Sequence, residues 1–210
     1  MKTSFFQTID QLTETVLSRF STWALGIACI VSLVLAIYFN VVAGQEFFRS
    51  GYPVSLFESQ LAFSGPVIKE YHQVLLSLDT MDIYLNVQYL DYALMFFTGL
   101  FFFIAALLIA RAHQANFWRR VGLVGALIIP AATLMDAIEN IFLLMMLSAP
   151  LSFPDWLAIA YSLSAFVKLV LFVVGLLWLI ASGLILSYQK LSTTLAKQRN
   201  VQRFSYDEYP

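Results

Sequence analysis

The stretch LMDAIENIFLLMML, residues 134–147, sets two carboxylic acids and a carboxamide among large apolar side chains. Asp136, Glu139 and Asn140 are spaced i, i+3, i+4, which puts all three on one face of a helix. Thr133 extends that face by one more turn. Further along, Lys168 is the single base in the apolar run 156–187. Ser164 lies one turn before it and Tyr161 two, so a polar stripe leads to Lys168. Asp91 heads another apolar run, with Thr98 two turns on. Cys29, Ser32, Ala36, Asn40 and Ala43 form a stripe of small residues suited to close helix packing, with the Asn40 amide near its outer end. Ionisable groups in such surroundings are costly and mark sites where a proton, an ion or a charged head group is held.

The elements that must position these groups are apolar helices. The chain has 210 residues, of which 60% are hydrophobic and only 12% charged. Its mean hydropathy is +0.78. Charged residues make up about a quarter of a soluble domain, and no soluble fold of this length hides so much apolar surface. Four runs, about 22–43, 83–110, 121–147 and 156–187, each exceed the roughly 20 residues that a helix needs to cross hydrocarbon. Backbone groups in lipid must bond within their own segment, so these runs are helices. The fold class is all-α, a four-helix transmembrane bundle forming one domain over 1–190.

Basic residues orient it. Lys2, Arg19, Arg111, Arg119, Arg120, Lys190, Lys197, Arg199 and Arg203 fall on one side of the four runs, against Arg49 and Lys69 on the other. The excess puts both termini in the cytoplasm, in a plasma (inner) membrane. The first run, longer than the apolar core of a signal peptide and preceded by a polar lead, is a retained span. Phe5, Ile9, Leu12, Val16 and Phe20 recur at helical spacing and predict an amphipathic helix on the inner face. The outer link, 44–82, is too long for a bare connection. Ser55 and Glu58 predict a capped helix start. Pro66 opens a second helix whose apolar face is Val67, Tyr71, Val74, Leu75 and Leu78, and which could run into the second span. His72 reads as a surface residue of this cap. The polar tail, 191–210, is expected to be disordered.

Counting from the inner basic anchors places the polar groups. Asn40 stands 21 residues from Arg19, Asp91 20 from Arg111, Glu139 19 from Arg120, and Lys168 22 from Lys190. At about 1.5 Å per residue, all four fall in one layer about 30 Å from the inner boundary, near the outer interface. The layer would line an outward-facing pocket beneath the outer link. Two readings compete for it. Lys168 could simply neutralise Asp136 or Glu139 and lock helix register. Three acids against one base leave a surplus, however, which calls for a proton or a cation in a low dielectric.

No nucleophile–base pair, phosphate loop or metal-binding HExxH occurs, and the chain has one cysteine and two distant histidines. No cofactor or metal is therefore expected. A net charge of −1 gives no case for nucleic acid. The expected partners are membrane lipids, a small amphiphile or cation at the polar layer, and a protein meeting the N-terminal arm or the tail.

Asp91 at the head of the second span, Asp136-x-x-Glu139-Asn140 in the third and Lys168 in the fourth give the chain a resemblance to small bacterial four-helix membrane proteins of unassigned function, over about residues 50–185. That resemblance implies the fold and no activity. Four spans with a helical outer link are also similar to the organisation of the emopamil-binding and sigma-2 receptor family, which holds amphiphilic amines on acids buried in a bundle cavity. Here the first span carries no acid and a lysine faces the acids, so that family's sites are not carried over.

The expected function is a membrane protein that binds or passes a small amphiphile, cation or proton at Asp91, Asp136, Glu139, Asn140, Lys168, Asn40, Ser164 and Tyr161. A structural subunit whose charges only lock the helices is the alternative. A lipid-modifying enzyme using Glu139 or Asp136 as general acid or base ranks third.

Overall fold

The computed structural model describes residues 19–113 and 116–207, except for the side chains of 116–121, 123, 124, 126 and 196–207. The expected N-terminal amphipathic helix lies outside the described residues, apart from its last positions. Six helices follow in chain order, with no strand among the described residues: α1 (Thr22–Ser50), α2 (Leu56–Gln60), α3 (Gly65–Ser77), α4 (Met81–Ala112), α5 (Asn116–Leu147) and α6 (Asp155–Asp207). Four of them, α1, α4, α5 and α6, are long and apolar enough to cross a membrane. The protein is an all-helical, four-span bundle of the multi-pass membrane type.

The helices outrun the expected spans. Ser21 caps α1, its hydroxyl accepting from the Ala24 amide at 3.1 Å. The helix then passes through Gly44 and stops only at Gly51, whose φ of 66° ends it in the left-handed conformation that glycine tolerates. A Cβ there would also meet Leu78 Cδ1 at 2.8 Å. Asp79, at φ 55°, separates α3 from α4, so the second cap helix does not run into the span. Thr80 Oγ1 donates to Ser50 O at 2.6 Å, which ties the end of α1 to the start of α4. α5 remains one helix through Pro130. The tail differs from expectation too: α6 continues to Asp207, over a sequence that includes helix-favouring Leu, Ala, Lys, Gln and Arg and has neither Gly nor Pro to stop it.

Between apolar helices in lipid there is no hydrophobic force to bring them together, so close approach decides the packing. The chief interfaces pair α1 with α4, α4 with α5, and α5 with α6. On α1 the stripe residues Ser32, Ala36 and Ala43 are buried. Glycines set the other two seams. A Cβ on Gly99 of α4 would meet Thr133 Oγ1 of α5 at 2.5 Å, and one on Gly125 of α5 would strike the Trp178 ring of α6.

At one end, α2, α3 and the α5–α6 loop form a cap over an aromatic core. Tyr52 stacks on Tyr84 at 4.5 Å, with Phe47 and Tyr71 beside them. Burial pushes the Tyr52 phenol up to about 12, and its hydroxyl pairs with Ser59 Oγ at 2.8 Å. Lys69 of α3 reaches Asp155, the first residue of α6, at 2.7 Å. The buried face of the cap helix overlaps the expected one at Leu75 and Tyr71 but is turned from it: Ile68 and His72 point inward, and Leu78 is exposed. His72, expected on the surface, is fully buried, with Nδ1 3.2 Å from Pro150 O and its ring against Phe153. An i, i+4 apolar pattern continued through a histidine is hard to separate from its neighbouring stripe by periodicity alone.

Candidate functional site

Helix register brings the polar residues together about 15–20 Å from the cap-side ends of the long helices. Asn40 stands ten residues before Ser50, Asp91 ten after Met81, Asp136 eleven before Leu147 and Lys168 thirteen after Asp155. At about 1.5 Å per residue these are similar depths on all four long helices. Of the layer expected from the basic anchors, Glu139 and Lys168 are in contact, Asp91 is bonded to the neighbouring Asn140, and Asn40 lines the same cavity as Asp91 and Lys168.

Lys168 Nζ lies 3.0 Å from Asp136 Oδ1 and 2.5 Å from Glu139 Oε2. One ammonium therefore serves two carboxyl groups placed one turn apart on α5. Glu139 is fully buried, and its second oxygen accepts from Gln60 Nε2 of α2 at 2.7 Å. Asp91 is held differently. Its Oδ2 accepts from the buried Asn140 Nδ2 at 2.6 Å, and among the described residues no ion pair reaches it. Two separate units result. One is a pair of acids sharing a lysine beneath the cap, and the other is an acid held by a neutral amide.

A cavity of about 320 Å³ adjoins both units. Asn40, Asp91, Asp136 and Lys168 form its polar end. From there it extends away from the cap, past Thr98 and Thr133, between Leu94, Met95, Ile129, Leu169 and Phe172. Pockets of this size and mixed lining suit small organic ligands better than bare ions. Among the described residues no three His, Cys, Asp or Glu side chains gather as a metal site.

The placement departs from the sequence expectation in three respects. A pocket opening beneath the outer link was expected. Instead the link closes that side: Gln60 bonds Glu139, the Phe63 amide donates to Ser162 Oγ at 3.0 Å, and the cavity lies beyond the ion pairs. Ser164 does not line the cavity, because its hydroxyl is turned to Ala160 O of its own helix at 2.9 Å. Tyr161 is fully buried in the aromatic core of the cap, not at the cavity. Hydroxyls on apolar helices commonly satisfy themselves in this way. Glu139 and Asn140 sit behind the cavity wall and hold it through Lys168 and Asp91.

Gln60 is the residue that sequence reasoning passed over. It sits at the end of the five-residue α2, and only the folding of the cap onto the bundle shows its reach to Glu139. Its neighbour Ser59, buried against Tyr52, gave no local signal either. No family model matches the chain, and no curated protein or solved structure shows significant similarity to it.

Proposed function

We propose that this membrane protein binds a small amphiphile carrying a cationic head group, with Asp91 as the head-group anchor. The observation that carries the reading is the division of charge. Lys168 makes its ion pairs with Asp136 and Glu139, while Asp91 faces the cavity with the Asn140 amide as its hydrogen-bond partner and no ion pair of its own among the described residues. A carboxylate in low-dielectric surroundings favours a cation beside it strongly, and a ligand ammonium supplies one. Asn40 adds a carboxamide at the same end, and Leu94, Met95, Leu169 and Phe172 provide an apolar wall for the rest of the molecule. The proposed setting is the inner membrane with both termini cytoplasmic and the cap outside, following the basic residues of the sequence.

The test is thermal stabilisation of the purified protein in nanodiscs by n-dodecylamine, compared with n-dodecanol of equal chain length. Stabilisation by the amine alone, lost in Asp91→Asn, supports the reading. Equal stabilisation by both, or an unchanged response in Asp91→Asn, rejects it.

A structural role for Lys168 with Asp136 and Glu139 is the second reading, favoured by the closed geometry of those two ion pairs. It is compatible with a ligand at Asp91, because the two units share a wall rather than atoms.

A further inference from the structure

The cavity has one unsealed side. α1 packs along α4, and no comparable interface joins it to α5 or α6. Yet Asn40 of α1 lines the cavity opposite Lys168, Leu169 and Phe172 of α6. Asn40 is also exposed, so the cavity meets the protein surface there. The surface around that mouth is apolar: Ile37 and Val41 are exposed on α1, as are Val170 and Val173 on α6. All four residues belong to helices long and apolar enough to span a membrane.

The side toward the cap is shut by contrast. Gln60 is bonded to Glu139, Phe63 to Ser162, and Tyr161 fills the space above Lys168's helix turn without exposure. The far end is narrowed where the Phe102 ring of α4 meets Phe172 of α6 edge-on at 5.5 Å. A molecule seated on Asp91 thus communicates with lipid more directly than with water.

Resting on the function proposed above, we infer that the ligand is a single-chain, membrane-dissolved amphiphile that enters sideways from the bilayer between α1 and α6. Its head group passes Asn40 to reach Asp91, and its chain trails through the seam into the hydrocarbon. The volume of about 320 Å³ fits a head group and the start of a chain, at the small end of organic-ligand pockets. Leaving the remaining chain in lipid keeps its apolar surface out of water throughout. The cap then acts as a fixed roof that keeps water from the ion pairs, instead of a gate.

The route can be tested without a bound amine, so its failure is separable from failure of the Asp91 site. Met95 lies inside the cavity, and Met95→Cys in a Cys29→Ser background places one thiol there. In nanodiscs, N-dodecylmaleimide, which partitions into lipid, should label this thiol, whereas a sulfonated, water-soluble maleimide should not. Adding Asn40→Trp should suppress the labelling, and adding Gln60→Ala should leave it unchanged. Thr98→Cys, a second cavity position, should repeat the pattern and guards against a local effect of either change. Labelling by the sulfonated reagent, labelling that rises with Gln60→Ala and ignores Asn40→Trp, or no labelling by either reagent would each overturn lateral entry.

Discussion

Asn140 of α5 donates its side-chain N–H to Asp91 of α4 at 2.6 Å, and this single bond holds the cavity's free carboxyl group in place across a helix interface. Neither residue belongs to the Lys168 ion pairs. The prediction concerns what happens when the donor is removed. Asn140→Leu keeps the shape and leaves Asp91 facing a hydrocarbon wall, at a cost of about 1–3 kcal/mol. Asp91→Asn costs less, because two carboxamides can still exchange a hydrogen bond. Unfolding in mixed micelles should rank the two variants in that order, and the reverse order would contradict the assigned geometry.

Lys168 should be the least replaceable residue of the polar layer. Lys168→Met strands Asp136 and Glu139 together without a cation, and breaking such a pair from one side costs about 3–5 kcal/mol. Adding Glu139→Gln removes one of the stranded charges and should restore part of the loss, a positive coupling that a double-mutant cycle measures. Strict additivity would show that the 2.5 Å contact is energetically idle.

The approach of α4 to α5 rests on the absence of a side chain at Gly99. In Gly99→Ala the new methyl would fall 2.5 Å from Thr133 Oγ1 and 3.3 Å from Thr133 Cγ2. Overpacking of this kind costs about 1–3 kcal/mol. Thr133→Ala deletes both of those atoms and leaves only Cβ at 3.4 Å, so the double variant should recover stability. Persistent destabilisation in the double variant would show that the helices are held apart by something other than this pair.

His72 makes the cap sensitive to acid. Burial lowers its pKa from 6.5 to about 4, with the hydrogen bond to Pro150 O opposing the shift only weakly. In that window the unfolded chain takes up a proton that the folded cap refuses. Stability is therefore full above pH 6.5 and falls as the pH drops toward 4, by about 3 kcal/mol in all. Below that the histidine adds no further slope. His72→Leu should flatten this part of the profile; an unchanged slope between pH 6.5 and 4 would assign it to other groups.

The sequence made the long helices legible because hydrocarbon thickness and backbone hydrogen bonding leave few alternatives, and Thr22 and Leu147 stand at their observed boundaries. The joint depth of Asn40, Asp91, Glu139 and Lys168 was legible for the same reason, since straight helices convert residue counts into heights. What a count cannot supply is rotation and docking. Ser164 and Tyr161 share a stripe with Lys168 in sequence, but one is turned to its own backbone and the other into the cap core. Gln60 reaches Glu139 from 79 positions away, through a loop whose path depends on tertiary packing. The burial of His72 was hidden likewise, since only the docking of α3 against the α5–α6 loop decides that the face of Ile68, His72 and Leu75 is the buried one.

The central claim is that Asp91 anchors a positively charged head group in the cavity, and stabilisation by n-dodecylamine in nanodiscs tests it most directly. The account predicts a rise in Tm for the wild-type protein with the amine and none with n-dodecanol. It also predicts that Asp91→Asn abolishes the rise while its own Tm without amine stays near wild type. An amine-induced rise that survives in Asp91→Asn would contradict it.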